Sequence, residues 1–435
     1  MICGRWKART VLATVVVLLG LAPVSPVLEA GPRRGGAART ADLSRLVVIG
    51  DSLSAGYQSG SLLGPQQQHG YAALVAAQAD TELALPLIAP PGFPNVLTLD
   101  PVFCAPDLVC PVGGPPSTGR VDPLAQATNL AVPGATVQDA LVTRPDLPVD
   151  SFTDLVLGLP GLLFGQARSQ VEWAEALAPT TILVWLGNND ALLPATLADA
   201  SLLTPVPAFA AAYSEVMERL GATGATLVVA NIPDVSVIPY LTPAETVVAG
   251  VAAQTGLPEA TIQALLGLGP GDFVIPDAFD LIAAILANPA LGPLPDTVVL
   301  DAGEVVDIRA ATAAYNAIIA AEAATHGAAL VDIHRLTERI RTQGYVVGGQ
   351  RLTTTFLGGF FSLDGTHPTN TGYAVIANEF IRALNKRFAA GLRPVNVRQV
   401  QREDPLVLPG AGQPAAALGR VGRPAAASIR SLHVR

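Results

Sequence analysis

The chain has little cysteine, few aromatic residues and few charges: three cysteines in 435 residues, 5% aromatic and 14% charged side chains. Three cysteines exclude a disulfide-dense scaffold. Cys104 and Cys110 stand in the Pro-rich stretch CAPDLVC and are expected to pair in an oxidising compartment. The loop they close is so short that its chain-entropy gain should stay below the roughly 3 kcal/mol of a 15-residue loop. Such a bridge pins a surface loop and does not staple a fold. No zinc site is expected, because none of the five histidines sits at a ligand spacing from the two cysteines. Scarce aromatics weigh against a sugar-binding groove built on stacking platforms.

Long hydrophobic runs are also missing, apart from one at the start. Arg5, Lys7 and Arg9 precede the apolar VLATVVVLLGLAPV, and small residues lead to Ala30. Residues 1–30 therefore read as a secretory signal peptide, which makes the mature chain extracellular or periplasmic. A retained anchor is the alternative, but Pro23 and Pro26 break the run short of the roughly 20 residues a span needs. No integral span is expected in the mature chain, while transient contact with a lipid surface stays open.

Basic charge is scarce in the body of the chain. Residues 31–390 hold 16 basic against 32 acidic side chains, which argues against nucleic acid as a partner. Residues 391–435 reverse the balance, with seven arginines against Glu403 and Asp404. This last segment is poor in large apolar residues and reads as a disordered basic tail.

What is present is an alternation. Apolar runs at 46–50, 83–89, 181–187, 226–231 and 328–333 read as buried strands, with helical stretches between most of them. That order predicts an α/β fold with a central parallel sheet and helices on both faces, in one domain over residues 31–390. Tyr373, Ile376, Ala377, Phe380, Ile381 and Leu384 form the core-facing stripe of a last helix, capped by Thr369 or Asn370. Two regions interrupt the alternation. Residues 90–125 are a Pro/Gly-rich excursion, and residues 233–305 an apolar, partly helical insertion. In the insertion Asp277 is the expected N-cap of a helix with an apolar face at Leu281, Ile282, Ile285 and Leu286. The insertion reads either as a lid or acyl-chain groove or as an extra packed layer.

Chemistry is concentrated at strand ends. RLVVIGDSLSAGY stops an apolar run at Gly50 and delivers Asp51 and Ser52, where open α/β sheets bind ligands. The bland reading of this stretch is a strand-to-helix turn with a capping serine. NLAVPGAT places Gly134 after a short apolar run, and VWLGNND ends another run with Asn188, Asn189 and Asp190. LDGTHPTN offers Asp364 and His367 three residues apart, close enough for the carboxylate to fix the imidazole tautomer and leave the other nitrogen for Ser52.

These four blocks, in this order, resemble the SGNH (GDSL-type) hydrolase superfamily of lipases and esterases. The likeness runs from about Leu46 to Phe388, and the two interruptions carry none of it. It implies a three-layer α/β/α sandwich. It also implies Ser52 as nucleophile, Asp364 and His367 as its partners, and an oxyanion hole from the Ser52 and Gly134 backbone N–H groups and the Asn189 side chain. The G-x-S-x-G elbow of α/β-hydrolases is missing.

Each assignment has a competitor. Ser54 would cap a helix, and Asn188 competes with Asn189 until the Gly-x-Asn-Asp spacing of the resembled family selects the second. Asp51 and Asp190 read as acceptors for loop N–H groups, and Tyr57 with residues 60–68 as pocket lining. The expected reaction is cofactor-free, metal-free hydrolysis of carboxylic esters through an acyl-serine, with medium- or long-chain acyl or lipid esters suggested by the apolar insertion. Sugar O-acetyl ester hydrolysis and acyl transfer use the same residues. A non-catalytic secreted binding protein is the reading from a different class, opposed by the competent residue type at every position.

Overall fold

In a computed structural model, residues 40–100, 102–104, 108–407 and 420–433 are described. The expected signal peptide lies outside them. The run Leu46, Val47, Val48, Ile49 carries no polar side chain on either face, so a strand built from it is stable only with both faces covered. It forms β1 (Leu46–Gly50) in a four-stranded parallel sheet with β2 (Thr181–Trp185), β3 (Thr226–Ala230) and β4 (Ala329–Val331), in spatial order β1-β2-β3-β4. The first three strands are buried along their whole length.

Helices sandwich this sheet as a three-layer α/β/α fold. In chain order they are α1 (Ser52–Ala55), α2 (Tyr71–Gln78), α3 (Val137–Val142), α4 (Gln170–Ala176), α5 (Asn188–Leu197) and α6 (Val206–Ala222). They continue with α7 (Ala278–Ala287), α8 (Ala302–Thr325), α9 (Asn370–Phe388), α10 (Val397–Glu403) and α11 (Arg423–Ser431). On one side α2 and α9 pack together, and α9 lies on β3 and β4; another group joins α3, α4, α6 and α8. Tyr71 of α2 stacks on Phe380 of α9 at 4.3 Å, and Phe209 of α6 on Tyr315 of α8 at 4.1 Å. Buried aromatics of this size contribute about 1.5–3 kcal/mol each from area alone. The stripe expected on the last helix is buried in full, and Thr369 caps it by accepting from the Gly372 N–H.

The structure corrects three expectations. Residues 83–89 form no ladder strand; Pro86 removes a donor from the run, its Ala84 carbonyl accepts from Thr128 and Asn129, and residues 87–89 make only a bridge to residues 119–121. The place beside β1 is taken by residues 128–132, whose Leu130 and Val132 N–H groups donate to Val48 and Gly50. Asp277 makes no side-chain cap to α7, because its carboxylate pairs with Arg430.

The third correction concerns the tail. Residues 391–407 and 420–433 carry two helices, with Val421, Ala425, Ala426, Ile429 and Leu432 buried. Few as they are, these apolar residues fall on one helical face, and buried Asp404 anchors the approach by accepting from the Thr371 N–H and hydroxyl at 2.7 Å. Residues 408–419 lie outside the described part. The insertion 233–305 holds helices Ala244–Thr255 and Glu259–Leu266, α7 and a small antiparallel sheet. Cys104 and Cys110 are joined by a disulfide.

Candidate active site

Gly50 ends β1 because nothing larger fits: a Cβ there would overlap the Ser54 hydroxyl. The chain turns at once into α1, whose N-cap is Asp51, accepting from the Leu53 N–H at 3.0 Å. Ser54 therefore does not cap; its hydroxyl is buried against the Tyr71 hydroxyl at 2.8 Å. Ser52 is left at the C-terminal edge of the sheet.

The loop before α9 brings the other two groups to it. Ser362 N–H donates to the His367 carbonyl and Gly365 N–H to the Ser362 carbonyl, closing a tight turn. The turn folds Asp364 back onto His367, with Oδ2 3.0 Å from Nδ1, while Nε2 lies 2.8 Å from Ser52 Oγ. All three side chains are buried. Burial, the largest single influence, pushes the Asp364 carboxyl up. The charge and side-chain bond of His367, with N–H bonds from His367 and Gly60, outweigh it and hold the group below its ordinary value. An ionised carboxylate only accepts, so Nδ1 carries the proton and Nε2 is free to accept from the serine.

The structure also reveals two partners that sequence reasoning did not find. Gly60 N–H donates to Asp364 Oδ2 at 2.8 Å, and Ser362 Oγ accepts from Ser59 N–H at 2.9 Å and reaches Asp364 Oδ1 at 3.3 Å. No local signal marks the bonds from Ser59 and Gly60, which join residues 303 and 304 positions apart, whereas Ser362 reaches Asp364 within the same loop. Tyr57 packs its ring against His367 with centroids 4.7 Å apart, and its carbonyl accepts from the Tyr373 hydroxyl.

Around this centre lie the remaining residues. Gly187, in the left-handed region, turns β2 into α5. Asn188 Nδ2 donates to Asp51 Oδ2 at 2.7 Å, and Asn189 Nδ2 to the Ala135 carbonyl at 2.9 Å. Asp190 accepts from the Val137 N–H, fixing the loop that holds Gly134 at φ +84°. Burial drives the carboxyls of Asp51 and Asp190 up to about 7 and about 6, against the bonds each accepts.

Gly134 and Asn189 line a cavity of about 270 Å³ whose wall joins polar groups of Thr136, Asp139 and Ser151 to a larger share of apolar surface from residues such as Val132, Phe152 and Leu193. Ser52 and His367 line a separate apolar crevice of about 40 Å³ with Leu192, Val235, Ile238 and Phe361. Tyr57 and residues 60–68 line neither. No group of metal-ligating side chains occurs among the described residues.

The sequence matches the family of GDSL-like Lipase/Acylhydrolase over residues 46–380. The chain belongs to that family. Its members are carboxylic ester hydrolases. No curated protein matches the sequence. Among solved structures it is similar to LAE5, an alpha/beta hydrolase from the metagenome of Lake Arreo, at 16% identity, with 80% of this chain and 98% of that one covered and a TM-score of 0.37. It is also similar to the esterase EstA of Pseudoalteromonas sp., at 13% identity, 79% and 97% coverage and a TM-score of 0.33. The extracellular lipase of Streptomyces rimosus aligns at 15% identity, 79% and 98% coverage and a TM-score of 0.33. Among the described residues no helix is long and apolar enough to cross a membrane.

Proposed function

We propose that this GDSL-family enzyme is a secreted serine hydrolase that cleaves medium- or long-chain carboxylic esters through an acyl-serine. The observation that carries the reading is the hydrogen-bonded series Ser52, His367, Asp364, with contacts of 2.8 and 3.0 Å. Ser52 Oγ attacks the ester carbonyl as His367 Nε2 takes its proton, and Asp364 stabilises the imidazolium. The oxyanion is received by the Ser52 and Gly134 N–H groups and by Asn189, whose amide keeps a second N–H beside the one given to Ala135. His367 returns the proton to the leaving alcohol, then activates the water that releases the acid.

The apolar lining of the crevice at Ser52, to which Val235 and Ile238 of the insertion contribute, supports the start of an acyl chain as its occupant, and its volume of about 40 Å³ means that a longer chain is seated only when the crevice widens. The polar groups in the mixed wall of the larger cavity, Thr136, Asp139 and Ser151 among them, suit the alcohol side and support a second reading, a polar alcohol such as an acetylated sugar. The disulfide accords with an oxidising compartment.

Ser52→Ala tests the mechanism. It should abolish p-nitrophenyl ester hydrolysis and fluorophosphonate labelling in folded protein; wild-type turnover would disprove the assignment. Rates over C2 to C16 p-nitrophenyl esters should peak at C8 or longer, whereas a maximum at C2 favours the sugar-ester reading.

A further inference from the structure

The basic C-terminal segment does not lie apart from the catalytic edge. Its backbone and side chains rest on three glycines that surround the serine, histidine and aspartate. A Cβ at Gly134 would overlap the Leu432 carbonyl oxygen, and one at Gly365, next to Asp364, would overlap Val421. A Cβ at Gly60, which bonds Asp364, would stand 2.6 Å from Ser428 Oγ. α11 packs against α5, the helix that opens with Asn188 and Asn189, and Leu432 and His433 form part of the wall of the cavity at Gly134. Ser52 is 2% and Asn189 1% exposed with the segment in place.

Three arginines of the segment hold it there, each against a residue of α7 or the one before it. Arg430 pairs with Asp277, Arg423 pairs with Asp280 at 2.5 Å, and the Arg420 guanidinium lies 4.2 Å above the Phe279 ring. The Arg423–Asp280 pair is mostly exposed and the Arg430–Asp277 pair partly so, so both are weak singly and screened by salt. The apolar face made by Val421, Ala425, Ala426 and Ile429 is short, so the segment can leave without unfolding the sheet behind it.

We propose that residues 420–433 are an intramolecular plug that competes with ester substrate for the oxyanion side of the active site, latched by ion pairs to α7. This inference rests on the proposed function. With the Leu432 carbonyl against Gly134, Leu432 and His433 closing one wall of the cavity there, and Ser52 almost wholly buried, ester reaches Ser52 and the Gly134 N–H only when the segment moves out. The apparent affinity is then the intrinsic affinity reduced by the fraction of molecules in which the plug is out. Anything that binds the released segment or screens its arginines activates the enzyme, and the acidic carboxylates of α7 define the chemistry of the latch.

The test uses the full chain carrying Arg423→Glu and Arg430→Glu. Relative to wild type, kcat/KM on p-nitrophenyl decanoate should rise tenfold or more, chiefly through KM. Wild type should be activated by 0.5 M sodium chloride and the variant should not. Adding Asp277→Lys and Asp280→Lys should restore both wild-type behaviours. A folded double variant with unchanged kcat/KM and salt response overturns the plug, and so does a folded variant of lower activity, which would make α11 part of the working wall.

Should the variant fail to fold, hydrogen exchange on wild type decides. Labelling with a long-chain fluorophosphonate should lower amide protection over residues 423–432, and unchanged protection overturns the proposal. The two readings fail separately: equal labelling rates in wild type and variant remove only the plug, whereas no labelling of Ser52 in either removes the serine mechanism itself.

Discussion

The backbone N–H of Gly60 donates at 2.8 Å to the same Asp364 oxygen that accepts from His367, so the carboxylate is held from the segment that follows Ser52. The N-terminal and C-terminal parts of the site are thereby tied together at the aspartate as well as at the serine. Around Asp364 every neighbour is a donor: Gly60, Thr366 and His367 through their N–H groups, Ser362 through its hydroxyl and His367 through Nδ1.

Asp364→Asn puts an NH2 group into this all-donor surround and removes the charge that orients the imidazole. Steady-state kinetics on a p-nitrophenyl ester should show kcat lower by about 10⁴, the size of effect expected when the histidine tautomer is lost. A loss below tenfold would show that His367 is oriented by something else.

Asn189→Ala removes one of the donors proposed for the oxyanion and leaves Ser52 and His367 in place. The expected loss in kcat is about 10²–10³, equivalent to roughly 2.7–4 kcal/mol, with KM little changed. A change confined to KM would place Asn189 in substrate binding only.

Ser54→Ala separates the two serines of the turn. The substitution leaves the buried Tyr71 hydroxyl without its partner and should lower unfolding free energy by about 1–3 kcal/mol in denaturant titration. Esterase activity should persist, because Ser54 faces Tyr71 and not His367.

Asp51→Asn addresses pH. The Asp51 carboxyl is raised by burial from an ordinary 3.8 to about 7, so the folded state favours its protonated form. Its contribution to stability is fully present below pH 3.8 and is lost as pH rises to about 7. Asp190 acts in the same direction up to about 6, while Asp364, held low, acts oppositely as pH falls. Unfolding free energies measured from pH 4 to 8 should decline less with pH in Asp51→Asn than in wild type. Parallel curves would place the Asp51 titration outside this range.

Much of the site was legible in sequence because its geometry is local. Gly50, Asp51 and Ser52 follow from one strand meeting one turn, and Asp364 reaches His367 within a single loop. The stripe on α9 and the runs that became β1 to β3 were equally plain, since burial on both faces selects unbroken apolar letters, and the run of β4 is apolar although Leu330 is exposed at the sheet edge. Residues 83–89 misled for the same reason: they are apolar, but Pro86 interrupts them and they make only a single bridge, Ile88 to Arg120, away from the central sheet.

Sequence by itself determined which residue types stand at the strand ends, the order of strands and helices, and the local turns that aim Ser52 and join Asp364 to His367. Only the tertiary structure decided that Gly60 holds the aspartate and Ser59 bonds Ser362, that residues 128–132 flank β1, and that the arginine-rich C-terminus folds back onto α7 and Gly134. Those contacts join segments far apart in the chain, where no periodicity or spacing records the pairing; charge complementarity and close backbone approach exist only once the sheet has brought the surfaces together.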